Sequence, residues 1–170
     1  ENSMVKEAIA SFTQANDASM YAEVITAADT AGCHAEVAAY LVLCRKKVKE
    51  SHVDTSLIYA YAKSGQFPEL EDFISAPNVG RIQDVAERCY SEQMYEAAKI
   101  LFNSISNFSR LATCLMHLGQ HQAAVDAARK ANSTRTWKEV NASCVQHQEF
   151  RLAQICALHI VVNPDELEEL

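Results

Sequence analysis

The sequence repeats itself, and this repeat constrains the fold more than any other feature. Five blocks of eighteen residues align without gaps, and each begins between 26 and 33 residues after the block before it. The blocks cover residues 24–41, 57–74, 85–102, 111–128 and 140–157. Repetition at this period is typical of solenoids, in which small supersecondary units stack on their neighbours.

Each block has the pattern of a helix, a turn and a second helix. The ninth position suits a helix C-cap, because glycine adopts the left-handed conformation without a Cβ clash. The residues there are Gly32, Gly65, Gln93, Gly119 and Gln148. Aliphatic, aromatic or small residues at the fourteenth and seventeenth positions mark one buried helix face. They are Val37, Leu70, Ala98, Ala124 and Ala153, then Tyr40, Phe73, Leu101, Ala127 and Cys156.

The turns and junctions carry further signals. A ring occupies the eleventh position of every block, where we expect it to pack across the turn: His34, Phe67, Tyr95, His121 and Phe150. Pro68 suits the first turn of a helix, and the segment 75–78 should end that helix. Thr136 with Glu139 fits a capping box, which predicts a helix start at this point.

The predicted fold is all-α: an α-solenoid of stacked antiparallel helical hairpins with a repeat of roughly 30 residues. The low counts of 4 glycines and 3 prolines agree with helices rather than with a turn-rich β fold. We predict a single solenoid segment over residues 1–170, belonging to a longer array. Residues 1–16 should be the second helix of an incomplete hairpin, and residues 163–170 the first turns of another helix.

Composition excludes several classes of function. The net charge of −7 argues against a general nucleic-acid binder and against a surface that rests on anionic lipid. No apolar run approaches the length of a membrane span, and the first residues do not match a signal peptide. We therefore predict a cytoplasmic protein with reduced thiols. Its cysteines are Cys33, Cys44, Cys89, Cys114, Cys144 and Cys156, and none forms a CxxC pair.

The sequence gives little support for a metal site, a cofactor or catalysis. Cys114, His117 and His121 match the ligand types of a zinc half-site, but Gly119 separates the two histidines and no fourth ligand is near. We interpret Cys114 as core and His121 as a turn ring, and we predict no metal. The sequence shows no nucleophile paired with a base and no glycine-rich loop of the kind that binds phosphate. We therefore predict no cofactor and no enzyme activity. Trp137 is interpreted as a core residue.

Three long segments resemble the leg repeats of the clathrin heavy chain. They are residues 36–74, 94–140 and 149–170, and the stretch ARKANSTRTWKEV (128–140) is a particularly close match. The resemblance covers nearly the whole chain from about Tyr21. It implies a leg segment near the knee and proximal leg of a three-legged coat protein, on the cytosolic face of coated pits and vesicles. The implied partners are clathrin light chains and neighbouring heavy-chain legs, whereas the trimerisation region lies outside this segment.

The run from Arg45 to Lys49 is the only dense positive cluster. Arg45 and Lys47 match family residues at the knee that meet an acidic stretch of the light chain, and Lys46 and Lys49 flank them. The alternative is a solvated helix end, where basic residues complement the helix dipole. The two interpretations are compatible.

The predicted function is a structural component of the clathrin coat that supports lattice assembly and light-chain binding. The alternative is a peptide-binding α-solenoid adaptor of the tetratricopeptide-like or vacuolar-sorting type. Such an adaptor would repeat exposed Asn, Arg or aromatic residues along a groove, and the five blocks show no such set.

Overall fold

The computed structural model describes residues 2–15 and 17–162. These residues form eleven α-helices and no strand, which confirms the all-α class. The helices are α1 (Asn2–Ala15), α2 (Tyr21–Ala31), α3 (His34–Lys47), α4 (Ser51–Ser64), α5 (Phe67–Ser75), α6 (Ile82–Ser91), α7 (Tyr95–Ser104), α8 (Phe108–His117), α9 (His121–Ala131), α10 (Thr134–Gln146) and α11 (Phe150–Val161). The prediction for residues 163–170 lies outside the described residues.

The chain comprises two compact units, Glu1–Ala97 and Ala98–Leu170. In the first unit α1 packs on α2 and α3, α2 on α3, α3 on α4, and α4 on α5 and α6. In the second unit α8 packs on α9 and α10, α9 on α10 and α11, and α10 on α11. All of these pairs join helices one or two places apart along the chain, as in an α-solenoid of hairpins. That residues 1–170 form one uninterrupted segment stays a prediction.

The ninth position of every block adopts the left-handed conformation that the repeat predicts. The φ angles are 70° at Gly32, 73° at Gly65, 61° at Gln93, 70° at Gly119 and 63° at Gln148. In all five blocks the second helix begins two residues later. Glutamine thus accepts at two turns a backbone conformation that costs an L-residue about 1–2 kcal/mol.

We expect Gln148→Gly to raise the free energy of unfolding by about 0.5–1 kcal/mol. The change relieves left-handed strain at φ 63°, and the greater freedom of glycine in the unfolded chain offsets part of the gain. Urea unfolding followed by circular dichroism measures it. Gln146→Gly, at the last residue of α10, is the control and should destabilise by up to about 1 kcal/mol. Destabilisation by both variants would contradict the strain argument.

The fourteenth and seventeenth positions form the core, as predicted. All ten are buried, and none is more than 8% exposed. Trp137 is also buried, at 3% exposed, and its ring lies parallel to that of His159 with centroids 4.3 Å apart. The interpretation of Trp137 as core is confirmed. On α1, Ile9 is buried, whereas Val5 and Phe12 are half-buried.

The rings at the eleventh position behave differently from one another. Tyr95 packs across its own turn against Tyr90, as predicted. His34 and His121 instead contact the following hairpin, at Tyr59 and His147. The prediction is wrong for Phe150, which is 62% exposed.

The junction signals were correct at one site and wrong at another. Pro68 lies in the first turn of α5, which ends at Ser75 as expected. The capping box is wrong, because α10 already begins at Thr134. The buried Thr136 hydroxyl pairs with the Ser109 hydroxyl on α8 at 3.0 Å, and Glu139 accepts a hydrogen bond from Arg135.

Candidate binding groove

An open groove of about 790 Å³ runs across the first unit. The residues that line it from α3, α4 and α5 are spaced three, four or seven places apart. Residues at these spacings lie on the same face of a helix. Because α4 packs on both α3 and α5, it forms the floor between two walls. The lining residues are Val42, Arg45, Lys46, Lys49, Asp54, Leu57, Tyr61, Glu69, Asp72, Phe73, Pro77, Asn78 and Val79.

The floor of the groove is largely apolar. Leu57 and Phe73 are buried beneath it, at 0% and 8% exposed. Val42 and Val79 are 36% and 56% exposed, so the groove leaves apolar surface in contact with water. Tyr61 packs against Phe73, with ring centroids 6.1 Å apart.

The two walls carry opposite charge. Lys46 and Lys49 lie on the α3 side, and Glu69 and Asp72 lie on α5. All four residues are exposed. Within residues 2–15 and 17–162, none of the four takes part in an ion pair. The groove therefore presents unpaired charges of both signs above an apolar floor.

One end of the groove is fixed by a buried ion pair. Arg45 Nε lies 3.0 Å from Oδ1 of Asp54, whose side chain is only 5% exposed. The other carboxylate oxygen of Asp54 accepts a hydrogen bond from the Val79 backbone N–H at 2.9 Å. Arg45 also donates to the Pro77 carbonyl at 2.6 Å and lies over the Phe73 ring at 4.6 Å. This arrangement ties the connection after α5 to α3 and α4.

The same connection lies close against α4 at Gly80. A Cβ at this position would come within 2.6 Å of the Ile58 side chain, so glycine permits the approach. The next residue, Arg81, donates its backbone N–H to the Thr55 hydroxyl at 3.0 Å. The segment is thus held to α4 by backbone contacts as well as by Arg45.

Tyr61 lies between the two charged walls. Burial and the negative charge of Glu69 raise the pKa of its hydroxyl, and Arg45 opposes this effect. The hydroxyl makes no hydrogen bond to another described residue. It therefore offers a neutral donor and acceptor to any molecule that occupies the groove.

A second polar cluster joins α4 to α6 outside the groove. The Glu92 carboxylate accepts hydrogen bonds from Lys63 at 2.6 Å, from Tyr59 at 2.9 Å and from Arg88 at 3.0 Å. These bonds, that from Lys63 first, lower the pKa of Glu92 to about 2. The Arg88 guanidinium also lies 3.6 Å from the centroid of the Tyr59 ring.

We expect this cluster to make stability depend on pH below about 4.3. Because the folded pKa of Glu92 is below the unfolded value of about 4.3, its contribution is complete above that pH and is lost as pH falls toward 2. The loss should be about 1–2 kcal/mol, since the carboxylate is 29% exposed to screening solvent. Urea unfolding of the parent and Glu92→Gln at several pH values measures it. If the difference in free energy of unfolding between the parent and Glu92→Gln stayed constant with pH, it would contradict the role given to Glu92.

Arg45, Lys46 and Lys49 of the predicted basic run line one wall of the groove, and Lys47 is not among the lining residues. Lys46 and Lys47 are exposed in the last turn of α3, and Lys49 is exposed beyond it. Arg45 is engaged within the chain and keeps 33% of its side chain exposed. The acidic wall and the role of Asp54 were not predicted from the sequence. A carboxylate inside the apolar stripe of α4 is the signal that could have revealed the ion pair.

The other residues considered from sequence do not converge. Cys114 is buried, His117 is exposed, and His121 contacts His147. Among the described residues no three His, Cys, Asp or Glu side chains are grouped so that they could hold a metal ion. All six cysteines are buried and unbridged. In the described part of the chain, no helix has the length and apolarity that crossing a bilayer requires.

Comparison with known proteins identifies relatives over the whole chain. The family described as a region in clathrin and VPS matches residues 12–152. The clathrin heavy chain of Dictyostelium discoideum is 56% identical over 167 residues, which are 98% of this chain and 10% of that protein. Clathrin heavy chain 2 of Homo sapiens is 53% identical over 170 residues, 100% of this chain and 10% of the relative. The chain thus spans about a tenth of the length of these relatives.

Proposed function

Because the chain belongs to the clathrin family and matches clathrin heavy chains along its whole length, we propose that it is a structural segment of a clathrin coat. The identity of 53% over all 170 residues to the human relative is the observation that carries this proposal. The segment acts without cofactors or catalysis, at the cytosolic face of coated pits and vesicles. Its partners are light chains and neighbouring heavy-chain legs.

The mechanism is geometric. Within each unit, hairpins bury apolar faces against their neighbours, so side-chain packing fixes their arrangement. Exposed charged residues on the outer faces provide contacts for partners. A coat segment of this kind transmits shape through its packed core and binds through its exposed charges.

The light chain is proposed to bind through the basic residues beside the groove. Lys46, Lys47 and Lys49 are exposed next to one another, and Arg45 adds to their positive field. Several clustered charges can attract an acidic segment where one exposed pair would contribute little. The position of this cluster on a chain of net charge −7 supports a specific rather than a general attraction to acidic partners.

A charge-reversal experiment tests this proposal. We expect the triple variant Lys46→Glu, Lys47→Glu and Lys49→Glu to capture a clathrin light chain at least about tenfold more weakly at low salt, with a smaller difference at moderate salt. Arg45 is left unchanged because it supports the fold. Capture of light chain by the immobilised variants, with circular dichroism to confirm folding, is the measurement.

The control changes the same charge in the second unit. Arg129→Glu, Arg135→Glu and Arg151→Glu alter exposed residues far along the chain and should leave capture unchanged. Equal binding by the lysine variant and the parent would reject the basic cluster as the site. Failure of the unaltered chain to capture light chain would overturn the light-chain role of this segment.

A further inference from the structure

We propose that the groove over α4 binds an amphipathic helix of a partner protein whose apolar stripe has acidic residues along one edge and basic residues along the other. This inference concerns the groove as a whole. It relies on the proposed function only in taking the same basic wall as a binding surface.

The apolar floor calls for an apolar stripe. Val42 and Val79 expose side chain toward water beside the buried Leu57 and Phe73, so covering them removes apolar area from solvent. The Tyr61 hydroxyl on the same floor has no hydrogen-bond partner among the described residues and can pair with one polar group of the occupant.

The charged walls determine which charges the bound helix should carry along its two edges. Lys46 and Lys49 favour carboxylates on one side, whereas Glu69 and Asp72 favour Lys or Arg on the other. A segment acidic on both edges would face the carboxylates of α5, and like charges across an interface oppose binding. The acidic wall therefore distinguishes this occupant from a uniformly acidic peptide that only the basic run would select.

The shape of the groove favours a helix over an extended strand. An added strand needs the unpaired backbone groups of a sheet edge, and residues 2–15 and 17–162 contain no strand to provide one. Parallel rows of side chains from α3, α4 and α5 instead match the groove in which a helix lays its apolar face. The floor from Asp54 to Tyr61 is about 10 Å long, close to two helical turns.

Three synthetic helical peptides of about 20 residues test the proposal. They share one leucine stripe and differ at its edges: acidic and basic, acidic on both, or basic on both. Single charges at the rim of an interface contribute little, but each of the other two peptides places like charges against the two charged residues of one wall. We therefore expect the mixed-edge peptide to bind the full chain about tenfold more tightly than either other peptide. Fluorescence anisotropy of labelled peptides gives the dissociation constants.

Reversing the two charges on α5 should change which of the three peptides binds most tightly. In the variant Glu69→Lys with Asp72→Lys both walls are basic, so the peptide with two acidic edges should become the tightest binder. The control Glu71→Lys with Asp126→Lys makes the same change of charge at exposed residues outside the groove and should keep the preference for the mixed peptide. Circular dichroism confirms that both variants remain helical.

Two results would overturn the proposal. One is equal or tighter binding of the doubly acidic peptide by the unaltered chain, which would show that only the basic wall selects the partner. The other is the absence of saturable binding by any of the three peptides. Light-chain capture is scored separately, so a failure there rejects the proposed light-chain role without changing either peptide result.

Discussion

Arg45→Met is expected to lower the free energy of unfolding by about 3 kcal/mol. The variant leaves the Asp54 carboxylate buried with only the Val79 N–H as partner, and loss of one member of a buried pair typically costs about 3–5 kcal/mol. The lower end applies because Arg45 is one-third exposed. The variant also loses the bond to Pro77 and the contact with Phe73.

Urea unfolding followed by circular dichroism measures the loss, and hydrogen exchange locates it. Amides around Val79 should exchange faster, because the connection after α5 loses its attachment to Arg45. Lys46→Met removes the same charge from the next residue and should change stability by less than about 0.5 kcal/mol. Arg45→Met with Asp54→Leu should recover much of the loss, since no buried charge remains. Equal losses in Arg45→Met and Lys46→Met would disprove a structural role for the ion pair.

Trp137→Ala is expected to cost about 3–5 kcal/mol, the usual range for removing a large aromatic side chain from a core. The ring is 3% exposed in α10 and stacks on His159 of α11, so its removal opens a cavity between the helices of one hairpin. Thermal unfolding by circular dichroism measures the effect. Hydrogen exchange should place the faster-exchanging amides in the second unit.

Two further variants separate the buried ring from its exposed neighbour. Trp137→Phe keeps much of the apolar volume and should cost clearly less than Trp137→Ala. His159→Ala removes an exposed partner and should cost less than about 1 kcal/mol. A loss in His159→Ala as large as that in Trp137→Ala would assign the stability to the stack rather than to burial.

The helical repeat could be predicted because its signals are local. The spacing of fourteenth and seventeenth positions follows the helix period, and a left-handed residue between two helices is favoured at glycine. Gln93 and Gln148 are also left-handed, with φ angles close to those of the glycines. The position in the repeat therefore determines the backbone conformation, and glycine only makes that conformation less costly. Burial and turn position were therefore predicted from the alignment of the blocks alone.

Features that join different helices could not be predicted in the same way. Thr136 and Glu139 have the spacing of a cap, but the Thr136 hydroxyl is used by Ser109 of α8, 27 residues away. The groove is formed by faces of three helices, and its basic and acidic residues lie on different helices, so no single helix reveals it. The basic run was predicted as a docking site, which stays a prediction, whereas only the structure shows that Glu69 and Asp72 line the same groove.

The residues of the basic run have different roles in the structure. Arg45 serves the fold, because three of its contacts lie within the chain. Lys46 and Lys47 complement the carbonyl end of α3 and remain exposed. Dipole stabilisation does not require a side chain to be covered, so it is compatible with the proposed binding of a partner.

The burial of all six cysteines gives the chain a native set of chemical reporters. Thiolates react with maleimides or disulfide reagents, whereas burial raises the pKa of Cys89 and Cys156 to about 12 and keeps them protonated. Modification must then wait for the surrounding helices to open. Mass spectrometry of each thiol over time would give an opening rate at Cys33, Cys44, Cys89, Cys114, Cys144 and Cys156, and so the order in which the hairpins come apart.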